Sequence, residues 1–224
     1  MNNMEPQKIV CLFSGGADSA TLITYYKKAG YDVYALGVNY GQKHNKELIF
    51  ASNFCSISNI KYKIIDLTSL KELLSASVLT SDKPVPEEHY THENQKQTVV
   101  PNRNMILLSI ATGYAVTIGA KYIAFAAHAN DFAIYPDCRP SFVNAFGEAL
   151  THALFEESKI NVIAPFVHMT KGEIIKLGTE LGVPYENTWS CYNGRDKACG
   201  KCGTCQERLE AFAFAGIKDP LKYE

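Results

Sequence analysis

Two groups of residues in this chain have the types and spacing that chemistry requires. The first is Ser14-Gly15-Gly16-Ala17-Asp18-Ser19, directly behind the apolar run Ile9-Val10-Cys11-Leu12-Phe13 and ahead of an amphipathic segment from Ala20 to Ala29 that Gly30 closes. A buried strand, a glycine turn and a helix start form a cradle for phosphate. The glycines let backbone approach a ligand, and the unpaired N–H groups and positive dipole end of the helix face an anion. Ser14 and Ser19 are placed to donate to phosphate oxygens, while Asp18 would hold Mg²⁺ or tie down the loop. An ordinary βα turn also favours Gly and Asp, so the order of hydroxyls and carboxylate carries the functional reading. The lysine of G-x-x-x-x-G-K-[ST] is missing, which excludes the common nucleotide hydrolase loop. The second group is Cys191 followed by Cys199-Gly-Lys-Cys202-Gly-Thr-Cys205. Two-residue gaps bring sulfurs to one point, and glycines leave N–H groups free to bond them, which suits a closed tetrahedral Zn²⁺ site, one ion per chain. Four thiolates leave no open position, so the metal is read as structural; an iron–sulfur cluster is the chemical rival.

The elements that must hold these groups alternate. After the first strand and helix come an aliphatic run from Val33 to Asn39, a helical pattern from Lys46 to Ile57 and a strand from Lys61 to Asp66. Ser75 to Val100 is polar, with little periodicity, and reads as a lid or flap. Met105 to Ile118 is apolar on nearly every side and reads as a buried helix. Tyr122 to Ala126 is a fourth strand, Ser141 to Phe155 a helix, and Asn161 to Ala164 a fifth strand stopped by Pro165. The expected fold is α/β: a Rossmann-like five-stranded parallel sheet with helices on both faces and right-handed crossovers. Residues 1–185 would be the unit that carries the phosphate cradle and 186–224 a small helical segment clamped on it by zinc. Ligands should sit beyond the carboxyl ends of the strands, near the switch in strand order.

Composition narrows the partners. At 224 residues and 46% apolar content, one core of good size is expected. A net charge of −1 supplies no broad basic field, which weighs against nucleic acid and for small molecules. No apolar run approaches the length of a membrane span and no secretion signal is evident, so a soluble cytoplasmic protein is expected. Seven cysteines, an odd number, argue against a disulfide framework.

Ser-Gly-Gly-x-Asp-Ser resembles the loop of the ATP pyrophosphatases, which split ATP between the α and β phosphates. Tyr40-Gly41-Gln42-Lys43-His44, Val100-Pro101-Asn102-Arg103-Asn104, Asp131 with Tyr135-Pro136-Asp137-Cys138-Arg139, Cys191-Tyr192-Asn193-Gly194 and the run from Cys199 to Cys205 together resemble the 7-cyano-7-deazaguanine synthase family. The resemblance implies an adenine nucleotide alpha hydrolase-like fold and an enzyme of queuosine biosynthesis, as a homodimer. Its substrates would be 7-carboxy-7-deazaguanine, ammonia and ATP, with ATP adenylating first the carboxylate and then the amide. Other readings of the same scaffold are a tRNA thiolase, or a noncatalytic adaptor that senses a nucleotide. Three positions depart from the family pattern: Asn102 where glycine is usual, Lys43 where arginine is frequent, and a short gap from Cys191 to Cys199.

Within that resemblance Phe13, Ser14, Gly15, Gly16, Ala17, Asp18, Ser19 and Ala20 surround ATP, and Asp18, Arg103 and Lys171 are the catalytic candidates. Arg103 would reach triphosphate or the substrate carboxylate, or else be a helix-entry arginine paired with a surface acid. Asp131 and Asp137 could accept from the ring N–H and amine of a guanine-like base, or simply form turns. Arg139 could grip the substrate carboxylate or neutralise Asp137. Lys171, at a helix start where a cation opposes the dipole, resembles a lysine aimed at phosphates. His44 and His128 could move protons or bind the base, or be packed or solvated.

Overall fold

The computed structural model describes residues 5–42, 45–81, 96–194 and 196–224. In chain order the main elements are β1 (Lys8–Leu12), α1 (Ala17–Lys28), β2 (Asp32–Asn39), α2 (Lys46–Ile57), β3 (Lys61–Asp66), α3 (Arg103–Ile118), β4 (Tyr122–Ala124), α4 (Pro140–Ala153), β5 (Asn161–Ile163), α5 (Lys171–Glu180) and α6 (Gly203–Phe214). The strands form one sheet in the order β3-β2-β1-β4-β5. Every neighbouring pair is parallel, with Ile9 opposite Val33 on one side and Tyr122 on the other. β1 is the pivot: the chain winds outward from it through β2 and β3, then crosses back to β4 and β5. The crevice at such a reversal lies beyond the carboxyl ends of β1 and β4.

Alternation along β1 explains why both faces are covered. Ile9 and Cys11 pack with Leu22, Ile23, Ile174, Ile175 and Phe212 on one face. Val10 and Leu12 pack with Leu108, Ala111, Phe146 and Leu150 on the other. Helices α1, α5 and α6 therefore share one side and α3 and α4 the other, as a period-two strand buried on both faces demands. Burial raises the Cys11 thiol far above its usual range, which makes it an inert core group.

Two expectations need correction. Helix α3 buries Leu108, Ala111, Thr112 and Ala115, but Met105 and Val116 are exposed at 39% and 37%. Only one of its faces meets the sheet, and a uniformly apolar helix does not announce which one. The described ends of the Ser75 to Val100 stretch, residues 75–81 and 96–100, are packed rather than loose. Val78, Leu79 and Val100 are buried with Leu74 against Tyr40 and Ile106, and Val78 N–H donates to the Gln97 carbonyl at 2.9 Å. Residues 82–95 lie outside the described residues. No helix among the described residues is long and apolar enough to cross a membrane.

The C-terminal segment is locked down by one buried ion pair. Arg208 is 1% exposed, and its Nε and Nη2 donate to Asp219 Oδ2 and Oδ1 at 2.7 and 3.0 Å. The rest of the guanidinium donates to Thr188, Ser190 and the Tyr185 carbonyl, which ties α6 to the chain that enters the cysteine cluster. Burial alone would raise the Asp219 pKa, but the bonds to Arg208 and Tyr223 outweigh it and hold it below the usual value. A depressed carboxylate contributes stability that is present above the unfolded pKa and lost as pH falls through the folded one. Asp219→Ala strands a buried cation, and urea denaturation at pH 7 is expected to show a loss of about 3–5 kcal/mol that shrinks at acid pH. An unchanged denaturation midpoint would contradict this assignment.

Candidate functional site

The glycine loop follows β1 and is clamped from two sides. Gly15 has φ +89°, and a Cβ there would collide with the carbonyl oxygen of Glu47 at the start of α2. Its own carbonyl accepts from the Trp189 N–H at 2.9 Å. Only glycine meets both demands, so Gly15→Ala is expected to cost more than the roughly 1–2 kcal/mol of left-handed backbone alone, with a lower Tm and weaker ATP binding by titration. The loop hydroxyls close on the loop itself: Ser14 Oγ accepts from the Gly16 N–H at 3.3 Å, and Ser19 Oγ donates to the Gly16 carbonyl at 3.1 Å. The first α1 backbone bond runs from Ala20 N–H to Gly16 O, so the N–H groups of Ala17 to Ser19 precede the helical ladder.

Beyond the loop opens a cleft of about 300 Å³, lined among others by Phe13, Ser14, Gly16, Asp18, Ser19, Arg103, Asp131 and Lys171. Gly15 contributes backbone rather than lining, and Ala17 and Ala20 are core residues beneath it. A chain of charges crosses the cleft floor. Lys171 Nζ stands 3.6 Å from Asp18 Oδ2 and 3.2 Å from Glu207 Oε2. His128 places Nε2 at 3.8 Å from Asp18 Oδ2 and Nδ1 at 3.5 Å from Asp131 Oδ2. Burial works against the Lys171 charge, but Asp18, Glu207 and Asp131 overcome it and raise its pKa, so the ammonium is permanent. Asp131 is pushed the other way, upward, chiefly by burial. Asp18 Oδ1 is buried with no hydrogen-bond partner, an acceptor left open for a cation, which fits the Mg²⁺ expected at this loop.

Arg103 is the first residue of α3 and points its helix start at the same cleft. Asn102 before it has φ +59°, left-handed backbone that glycine or asparagine tolerates, which accounts for the departure from the family pattern at that position. Two residues expected on the substrate side stand elsewhere. Asp137 Oδ2 accepts from the Asn104 N–H at 2.9 Å, holding the first turn of α3. Arg139 Nε donates to the Phe132 carbonyl at 2.8 Å, at the entrance to α4. Neither is among the lining residues, although Tyr135 and Cys138 of the same string are. His44 lies outside the described residues.

Sequence reasoning passed over Glu47 and Glu207, which both line the cleft. Glu207 had a signal: it sits two residues past Cys205, inside a helix whose start the cysteines fix. The four Sγ atoms of Cys191, Cys199, Cys202 and Cys205 lie within 4.8 Å of one another, and all four residues are buried. Zn–S bonds near 2.3 Å put tetrahedral sulfurs about 3.8 Å apart, and Cys199 and Cys205 already stand at 4.0 Å. Backbone N–H groups of Cys199, Lys201 and Cys202 point at sulfurs at 3.3–3.4 Å, the pattern that stabilises thiolates. The cluster could hold a single metal ion such as zinc; the irons of a cluster would keep the sulfurs further apart.

These features coincide with relatedness along the whole chain. The model of the family described as queuosine biosynthesis protein QueC matches residues 8–216. A 7-cyano-7-deazaguanine synthase from Pseudoalteromonas atlantica is 51% identical over 97% of this chain and 99% of its own length. Another from Hahella chejuensis is 53% identical over 98% of this chain and 94% of its own. Among solved structures, a predicted subunit of tRNA methyltransferase from Methanocaldococcus jannaschii shares the fold, with a TM-score of 0.52 at 19% identity, covering 78% of this chain and 76% of that one. A parallel sheet wound outward from β1, a glycine loop at its reversal and a four-cysteine cluster beside it thus occur here in a chain that belongs to the QueC family.

Proposed function

We propose that this protein is a 7-cyano-7-deazaguanine synthase, an ATP-dependent carbon–nitrogen ligase that turns 7-carboxy-7-deazaguanine and ammonia into the nitrile. Carboxylate and amide oxygens are poor leaving groups, and joining each to an adenylyl phosphate makes it depart as AMP. The protein's part is positioning and charge neutralisation. The observation that carries this reading is Lys171, a buried permanent cation held by Asp18 and Glu207 beside the glycine loop. An anion as rich as a triphosphate matches such a site, with the N–H groups from Ala17 to Ser19 completing it.

In this reading Phe13 to Ala20 surround the nucleotide, Lys171 and Arg103 meet developing negative charge, and Asp131 faces the deazapurine. Asp18 holds Mg²⁺, which would screen the phosphate charge during adenylyl transfer. Asp137 is reassigned to positioning Arg103 through α3. Residues 1–185 act as the ATP-binding unit and 186–224 as its clamped appendage, holding one zinc ion per chain. The active form is a cytoplasmic homodimer whose partners are small molecules and not nucleic acid, checked by light scattering and by retention on tRNA. The main test incubates the protein with ATP, ammonium and the carboxylated deazaguanine. Nitrile, AMP and pyrophosphate are expected together; consumption of acid and ammonia without pyrophosphate would overturn the proposal.

A further inference from the structure

Four carboxylates line the described part of the cleft: Asp18, Glu47, Asp131 and Glu207. Three are committed. Asp18 and Glu207 hold Lys171, and Asp131 faces His128. Glu47 makes no ion pair within 4 Å with any described residue, and its one recorded hydrogen bond is a long one, 3.4 Å from Gln42 Nε2 to Oε1. Gln42 is itself held, its Oε1 accepting from the Tyr40 N–H at 2.9 Å. The backbone of Glu47 abuts Gly15, so the start of α2 that carries this carboxylate is set against the loop that would bind the nucleotide.

We infer that Glu47 is the base that takes protons from the substrate nitrogen during nitrile formation. The inference rests on the synthase reading above. Ammonia carries three N–H bonds and a nitrile carries none. In the first half, the nitrogen lone pair forms the C–N bond to the acyl carbon, the C–O bond breaks with its electrons leaving on AMP, and the nitrogen sheds one proton. In the second half the amide oxygen has been adenylated. The nitrogen then loses its two remaining protons, the freed pairs build the triple bond, and the second C–O bond breaks onto AMP. Each proton needs an acceptor at the nitrogen, which then passes it to solvent through the open cleft.

The surroundings suit that work. Burial pushes the Glu47 carboxyl up to about 7, against the opposing pull of Arg103 and the Gln42 amide. A base poised there is basic enough to accept and acidic enough to release. Among the described residues the titratable groups near it are Arg103 on α3, Tyr40 after β2 and Tyr62 on β3. Both tyrosines are raised above their usual pKa chiefly by burial and stay neutral, so among these described groups Glu47 is the one that changes charge near neutrality.

Glu47→Gln keeps the shape and removes the base. The expected result is unchanged carboxylate-dependent pyrophosphate release in the first activation, with amide and nitrile formation reduced by about 100-fold or more. With free ammonia held constant, wild-type turnover should rise with pH through about 7, and Glu47→Gln should lose that limb while Glu47→Asp keeps it, displaced. Hydroxylamine, already neutral at pH 7 and more readily deprotonated once attached, should restore hydroxamate formation in Glu47→Gln. Melting curves check folding, and the wild-type and Glu47→Asp profiles decide the matter should Glu47→Gln not fold. Normal nitrile formation by Glu47→Gln overturns the inference, as does a loss of first-turnover pyrophosphate release equal to the loss of nitrile, which would make Glu47 a substrate-binding group. A wild-type protein that makes no nitrile at all overturns the synthase reading instead.

Discussion

Asp18→Asn is expected to abolish nearly all ATP-dependent turnover, by about 100-fold to 1000-fold in pyrophosphate release, with the melting curve unchanged. Asparagine fills the same volume at the start of α1, so packing gives no reason for unfolding. What disappears is charge. Asp18 Oδ2 faces both Lys171 Nζ and His128 Nε2, and Oδ1 is buried without a partner. Without that carboxylate Lys171 is left with Glu207 3.2 Å away, drawn from the loop toward α6. The open acceptor at Oδ1 would be weakened as well, because an amide oxygen is a far weaker Mg²⁺ ligand than a carboxylate. Normal pyrophosphate release by this variant would remove Asp18 from the mechanism, and a collapse of the melting curve would make its role one of folding.

The second large effect is expected from Cys202→Ser. The binding energy of a structural zinc site, roughly 10–16 kcal/mol, is also folding energy, and a quarter of it is about 2.5–4 kcal/mol, or roughly 5–16 °C in Tm for a chain of this size. The damage should not stay local. Thr204, one residue into α6, lines the cleft and donates to the Ser190 carbonyl at 2.8 Å; Trp189, next to Ser190, donates to Gly15. Loosening the cysteines therefore loosens the glycine loop and moves Glu207 away from Lys171. Metal analysis is expected to find one zinc per wild-type chain and much less in the variant, with lower Tm and lower activity together. A wild-type protein free of metal, melting like the variant, would refute the clamp.

Much of this was legible in the residues. Helix α2 and strand β3 have the bounds their patterns indicate, since each is a short element bracketed by turn residues. The glycine loop and the cysteine spacing were readable for the same reason: their chemistry is local, set by neighbours two to five positions away. Arg103, Asp131 and Lys171 could be named through the family strings, but not their arrangement. Asp137 and Arg139 share one string with Asp131, yet Asp137 bonds the start of α3 and Arg139 the Phe132 carbonyl, while Asp131 lines the cleft.

What the order of residues determined by itself is therefore the set of parts: the strands of a parallel sheet, a glycine loop and a four-cysteine cluster, each encoded within a short span. Only tertiary structure decided which charges meet. Glu47, Lys171 and Glu207 come from three helices far apart in the chain, and their ionisation depends on burial and on partners that no local pattern records. Electrostatic energy depends on distance and dielectric in space, and neither is a property of sequence separation.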